Sequence, residues 1–299
     1  MKKTTAILAS AVALVMAGSA IAETTVYGRA RMELAVASGD KDNNGVDDNI
    51  GLQNSSSRFG FKGSEDLGNG MSAIYKFELG YNADNKAQGG IANRIGMVGL
   101  KGDFGTFAMG NMWTPTYNLV DGNLDPFNGS NMGYPAIAFR AGDALAYANK
   151  FGDVKFQLAV VSNNSGTEDD LMDAYNVAVN FPAGPVSIGL GIHSNTDDSA
   201  TVVSVNYKGD GFGLGFGYQD ADKLANVKTM TLLGTMNVGT KGKLLLRWTD
   251  VDDTSTADKD YDGTTIGYHH ALSKRTKVYV ENSSKDLADE TVIGLRHDF

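Results

Sequence analysis

The chemistry open to this sequence is carried by arginines on half-polar strands. Arg29 and Arg31 lie two residues apart in "VYGRARMELAV", residues 26–36. Alternation puts Val26, Gly28, Ala30, Met32, Leu34 and Val36 on one face of a strand and Tyr27, Arg29, Arg31, Glu33 and Ala35 on the other. By the same parity Arg58 in "SSRFGF" and Arg94 in "NRIGM" are expected to point the same way from neighbouring strands, and Arg140 in "FRAGDALAY" follows a long polar segment. Arginines on a water-filled face set up a field that orders water and orients charged or dipolar solutes, which requires no bond making.

Rival constellations are weak. "DKDNNGVDDNIG", residues 40–51, begins like a calcium loop, with Asp40, Asp42, Asn44 and Gly45 in register, but its twelfth position is Gly51 instead of Glu. The pair His269 and His270 occupies adjacent strand positions, which point to opposite faces, and lacks ligand spacing with acids. "GFGLGFG", residues 211–217, lacks the strand-turn-helix context of a nucleotide loop and reads as a strand with glycine space on one face. With no nucleophile elbow, P-loop or metallopeptidase helix, the expectation is a protein that is not an enzyme and takes no cofactor or metal.

Compartment and charge narrow the class. "MKKTTAILASAVALVMAGSAIA" reads as a cleaved secretory leader, residues 1–22, with an A-x-A site ahead of Glu23. Removing Lys2 and Lys3 with it takes the formal charge from −9 to −11. So acidic a chain is a poor partner for nucleic acid. There is no cysteine, so an exported form has no disulfide framework.

The elements that must position the arginines are strands. "AIYKFELGY", "VKFQLAVV", "AYNVAVNF", "VSIGLGIHS" and "KLLLRW" all alternate apolar and polar residues. Short turns at 66–70, 102–105, 151–153, 182–185, 209–211, 239–242 and 273–276 take turns with long polar segments at about 38–55, 82–91, 113–141, 163–172, 195–199, 220–225, 251–261 and 285–290. That pattern predicts sixteen antiparallel strands. Beyond the leader no apolar run is long enough for a membrane helix, and only a closed barrel can cross lipid without one. Aromatic residues near strand ends, among them Tyr75, Tyr81, Tyr147 and Tyr207, match interfacial girdles, and the long-short asymmetry matches an outer-membrane barrel of porin size. The expected fold is all-β, a 16-stranded transmembrane barrel over residues 23–299.

The blocks "VYGRARMELAV", "SSSRFGFKGSEDLGNGMSAIYKFELGY", "NRIGMVGLKGDFGTFAMGNMWTPTYN" and "VIGLRHDF" resemble the general diffusion porins of Gram-negative outer membranes, over essentially the whole mature chain. The resemblance implies a water-filled channel for ions and small hydrophilic solutes. It implies that Arg29, Arg58 and Arg94, with Arg31 and Arg140 beside them, form the basic wall of a constriction. The acidic wall is implied to come from the third loop, "WTPTYNLVDGNLDPFNGSNMGYPAIAF", folded into the lumen and offering Asp121 and Asp125. Here the chain departs from the family pattern, because Pro126 stands where an acid precedes the loop phenylalanine, Phe127. Phe299 resembles the terminal aromatic read by the outer-membrane assembly machinery. A homotrimer in contact with outer-membrane lipid and lipopolysaccharide is implied as well. Substrate-specific porins for sugars or anions, and a surface binding protein, are the alternatives. The acidic loops and overall charge favour weak cation preference, against the arginines.

Overall fold

The computed structural model describes residues 23–38, 49–84, 90–129, 138–162, 172–195, 198–255, 260–285 and 288–299. The leader and most of the calcium-like segment therefore lie outside the described residues. Seventeen strand segments follow one another: β1 (Thr25–Ser38), β2 (Asn49–Asn54), β3 (Arg58–Gly68), β4 (Met71–Tyr81), β5 (Ile91–Gly102), β6 (Gly105–Trp113), β7 (Arg140–Phe151), β8 (Val154–Val161) and β9 (Ala174–Ala183). They continue with β10 (Val186–Asn195), β11 (Ser199–Lys208), β12 (Phe212–Ala221), β13 (Val227–Val238), β14 (Gly242–Asp253), β15 (Tyr261–Ala271), β16 (Thr276–Lys285) and β17 (Ala288–Asp298).

Apart from β2 and β3, which do not pair with each other, each segment pairs antiparallel with its sequence neighbour, and β1 pairs with β17, so the sheet closes on itself. Segments β2 and β3 both pair with β1, at Met32–Ala37 and Thr25–Arg29 respectively. They are two halves of one stave, and the barrel has sixteen. The sequence pattern ran the first long loop to about residue 55, whereas the strand resumes at Asn49. Ile50 and Leu52, both strongly exposed on the outer face, carry the alternation that marks it.

The lipid-facing side is a belt of exposed apolar side chains such as Leu214, Leu246, Ile266 and Ile293. Alternating with them, the inner face carries Glu33, Asn176, Ser204, Thr265 and Glu281, all buried. This inversion of a soluble core is what a wall between lipid and water requires. Rings of Phe104, Phe107, Tyr147 and Phe156 follow one another at centroid distances of 6.0, 4.7 and 6.4 Å near the short-turn end of β6–β8, where an interfacial girdle falls. The turn after β3 is Asn69-Gly70, both with positive φ (52° and 74°), the geometry that suits the twist of a two-residue hairpin. Among the described residues no helix is long and apolar enough to cross a membrane.

The seam is sealed at the chain ends. Gly28 N–H donates to the Phe299 carbonyl at 3.0 Å, and Phe299 N–H donates to the Gly28 carbonyl at 3.1 Å. A Cβ at position 28 would meet the Phe299 ring and lie 2.7 Å from the Arg58 carbonyl oxygen. Gly28→Val is therefore expected to cost about 1–3 kcal/mol by overpacking, read as a lower urea midpoint for loss of the compact form on gels. Adding Phe299→Ala should restore part of the loss, since the ring goes while the Arg58 carbonyl stays. An unchanged midpoint in the single variant would rule out the tight seam.

Candidate functional site

The third loop begins at Thr114, whose hydroxyl accepts from Tyr117 N–H at 3.4 Å and caps helix α1 (Pro115–Leu119), with Pro115 in its first turn. A 3-10 turn (Asp121–Leu124) follows. Thr116 N–H donates to Asn176 Oδ1 at 2.8 Å, and Asn180 Nδ2 donates to the Leu119 carbonyl at 3.0 Å. Leu124 sits in the space left by Gly215 and Gly217, where a Cβ would collide with its methyls. Farther on, Glu281 accepts from the backbone N–H groups of Asn128 (2.7 Å) and Gly129 (2.8 Å). A segment leaving β6 that touches β9, β12 and β16 can reach all three only from inside the barrel. Residues 114–129 thus lie against the inner wall, and residues 130–137 lie outside the described ones.

The arginines face this loop. Arg29, Arg31, Arg58, Arg94, Arg140 and Arg296 line one cavity of about 380 Å³ together with Trp113, Tyr117, Asp125, Phe127 and Asn128. Arg29 stands opposite Arg58, and Arg31 opposite Arg296, on neighbouring strands. Like charges so placed repel, and shared carboxylates relieve them. Glu78 receives Arg94 Nε at 2.9 Å and Arg58 Nη1 at 3.5 Å. Asp298 receives Arg29 at 2.8 Å and Arg296 at 2.9 Å. Arg31, buried, donates to the Ser55 carbonyl and lies 3.9 Å from Glu33. Arg140 has no carboxylate partner among the described residues and stacks 5.0 Å over the Trp113 ring.

Arg94 reaches the lumen, but not by the parity expected of it. Ile95 and Met97 oppose Glu78 and Lys76 on the lumen face, so strict parity would put Arg94 with Gly96 and Val98 toward lipid. A register shift opposite Glu78 and Leu79 leaves Arg94 as the extra residue of a β-bulge, which turns its side chain inward onto Glu78.

Asn128 ties loop to wall. Its Oδ1 accepts from Arg31 Nη1 at 3.3 Å and from Arg296 Nη1 at 3.1 Å, while Ser55 Oγ donates to its carbonyl at 3.2 Å. Asp125 lines the cavity and accepts from the Tyr117 hydroxyl at 3.3 Å. Burial, opposed by the positive charge of Arg247, holds the Asp125 carboxyl above the ordinary carboxylate range. Burial first, and the Asp125 carboxylate second, push the Tyr117 phenol up to about 12. Asp121 is 2% exposed at the start of the 3-10 turn and is not among the residues lining this cavity. Phe299 is at the seam and is not among the residues lining this cavity. Among the described residues no cluster could hold a metal ion.

Glu78, Arg296, Asp298 and Asn128 belong to the site, yet sequence reading did not single them out for it. The first three were within reach of parity: Glu78 shares a face with Lys76, and Arg296 and Asp298 lie opposite Ile293 and Leu295. Asn128 had no periodic signal, because it sits in a loop.

A family model described as Gram-negative porin matches residues 9–288. Outer membrane porin protein 32 of Delftia acidovorans is 28% identical over 95% of this chain and 90% of its own length. Major outer membrane protein P.IB of Neisseria meningitidis serogroup B is 24% identical over 97% and 99% respectively. Among solved structures, an anion-selective porin from Comamonas acidovorans superposes with a TM-score of 0.81 at 22% identity, covering 93% of this chain and all of that one. OmpT of Vibrio cholerae, solved in a trimer form, gives 0.71 at 17% identity, over 92% and 99%. Two of these relatives are named as porins and two as outer membrane proteins, and none is named as an enzyme. The closed sixteen-staved barrel and the match over nearly the whole sequence place the chain in the Gram-negative porin family, as a channel of the outer membrane.

Proposed function

We propose that this porin passes small hydrophilic solutes by passive diffusion and prefers anions, with the arginine cluster facing Asp125 as its charged constriction. The observation that carries this reading is the lining of the 380 Å³ cavity: six arginines and Asp125 as its carboxylate. Glu78 and Asp298 each serve two arginines, and Arg140 has none of these acids as a partner. Positive charge is therefore in excess where solutes pass, whatever the sign of the whole chain. Net charge is a poor guide to a pore, because charges on outer loops are screened within about 8 Å at physiological ionic strength. The anion selectivity named for the Comamonas porin supports this reading over the weak cation preference expected from composition. Asp125 is the acid of the opposite wall in this account, and Asp121 acts in seating the loop.

Residues 1–22 are read as a leader removed ahead of Glu23, and Phe299 as the terminal aromatic recognised during assembly. The trimer form of the Vibrio outer membrane protein supports a homotrimer.

In a planar bilayer under a KCl gradient, the refolded chain should give a reversal potential of the sign for chloride preference. Arg58→Gln with Arg94→Gln should move it toward potassium, and Asp125→Asn should move it farther toward chloride. No movement in either variant removes those residues from the constriction. A second expectation concerns pH. Because the Asp125 proton binds above the ordinary carboxylate range, acidification neutralises Asp125 before ordinary carboxylates, and chloride preference should rise in that window. Asp125→Asn should lack this step; its persistence would assign the step to another group.

A further inference from the structure

Asn128 is followed by Gly129, and the sequence holds two other Asn-Gly pairs, at 44–45 and 69–70. In such a pair the glycine nitrogen can attack the asparagine side chain, because no glycine side chain shields it. The surroundings of Asn128 set it apart from an exposed pair. Glu281 of β16 accepts from Gly129 N–H at 2.8 Å through Oε2, while its Oε1 lies 2.7 Å from His269 Nε2 of β15. The Asn128 amide nitrogen is 3.2 Å from that imidazole nitrogen and 3.4 Å from Glu281 Oε1. On its other side the amide oxygen accepts from Arg31 at 3.3 Å and Arg296 at 3.1 Å. Asn128, His269 and Glu281 are all buried.

A tie between loop and wall does not require this convergence, since the two backbone N–H groups already fasten the loop to Glu281. Each group around the side chain matches one task in its cyclisation. Glu281 Oε2 is placed to take the proton from Gly129 N, and the imidazole stands beside the nitrogen that must leave. Two guanidiniums face the amide oxygen, where negative charge develops as Asn128 Cγ becomes tetrahedral. Glycine at 129 is itself enforced by packing, because a Cβ there would lie 2.7 Å from Val292 Cγ2 and 2.8 Å from Glu33 Oε2. Asn128 also lines the arginine cavity, so water from the lumen reaches it.

We propose that Asn128-Gly129 is a self-modification site, at which the folded barrel converts Asn128 to aspartate or isoaspartate with water as the co-reactant. Gly129 N bonds to Asn128 Cγ and gives its proton to Glu281. Glu281 hands a proton on to His269, which protonates the amide nitrogen; the Cγ–Nδ2 bond breaks and ammonia leaves. The cyclic imide that remains adds one water. Opening at Cγ gives aspartate, and opening at the main-chain carbonyl of Asn128 gives isoaspartate. Nothing is oxidised or reduced. Either product adds one carboxylate to a cavity lined by six arginines. The chemistry stands apart from the ion preference proposed above, although its product lowers the positive excess there.

The test is peptide mass spectrometry of the full chain, refolded from urea into detergent in heavy-oxygen water at neutral pH. The peptide holding Asn128 should lose ammonia and take up one labelled oxygen on the order of 100-fold faster in the barrel than in the chain kept in urea. Asn69-Gly70, in an exposed turn, is the internal standard and should gain no such acceleration on folding. Glu281→Gln should slow the reaction at Asn128 by about ten-fold or more, and leave Asn69 unchanged. A Glu281 that only clamped the loop would, on removal, free the backbone and speed the reaction instead. A rate at Asn128 no greater in the barrel than in urea, or one not slowed by Glu281→Gln in a refolded chain, overturns the proposal. The comparison of barrel with urea in the parent chain gives that answer even if Glu281→Gln fails to refold.

Discussion

Everything in this molecule follows from the need to pair every backbone N–H and C=O inside lipid. A chain that has no membrane helix in its described residues meets that need only by closing its sheet, and the β1–β17 seam at Gly28 and Phe299 is where closure is completed. Closure fixes which face of each strand meets water. Once β1 is in register, Arg29 and Arg31 must point inward, because a one-residue slip would send both into lipid and Val26 and Leu34 into the lumen.

The interior then has its own problem, the accumulation of like charge. Opposing arginines on β1, β3 and β17 are held by carboxylates that each serve two guanidiniums, Glu78 on one side and Asp298 on the other. Partial burial strengthens such contacts relative to exposed pairs. Removing Glu78 would leave two desolvated arginines without their shared acid, so it is as much a part of the site as the arginines. The third loop completes the arrangement by a different means. Asn128 offers one amide oxygen to two arginines, while Glu281 clamps the two backbone N–H groups at the end of the described loop segment. Leu124 seats the loop on a glycine-lined wall.

How much of this could be read in advance depended on whether a residue obeyed the two-residue period. Arg29, Arg31 and Arg58 are inward by parity, and six of the seven short turns were marked by Gly, the seventh, at 273–276, by a polar Ser-Lys-Arg-Thr run. Arg94 is inward against parity, through a bulge that has no separate signature in "NRIGM". The early restart of the strand at Asn49 was hidden because Ile50 and Leu52 are flanked by polar residues and glycine. The separation of Asp121 from Asp125 was not legible, because a 3-10 turn rotates one into the wall packing and a periodic argument does not apply to loops. Net charge is a poor guide to ion preference for a plain reason: it sums outer loops and lumen, whereas a solute in transit meets only the lumen.

The central claim is that guanidiniums in the lumen remain in excess over their carboxylates and open to passing anions. Anomalous diffraction from crystals soaked in bromide tests it most directly, since it locates the anion itself. Bromide peaks inside the barrel beside Arg58, Arg94 and Arg140 are the predicted result. Peaks confined to the outer surface, with none among these arginines, would contradict it.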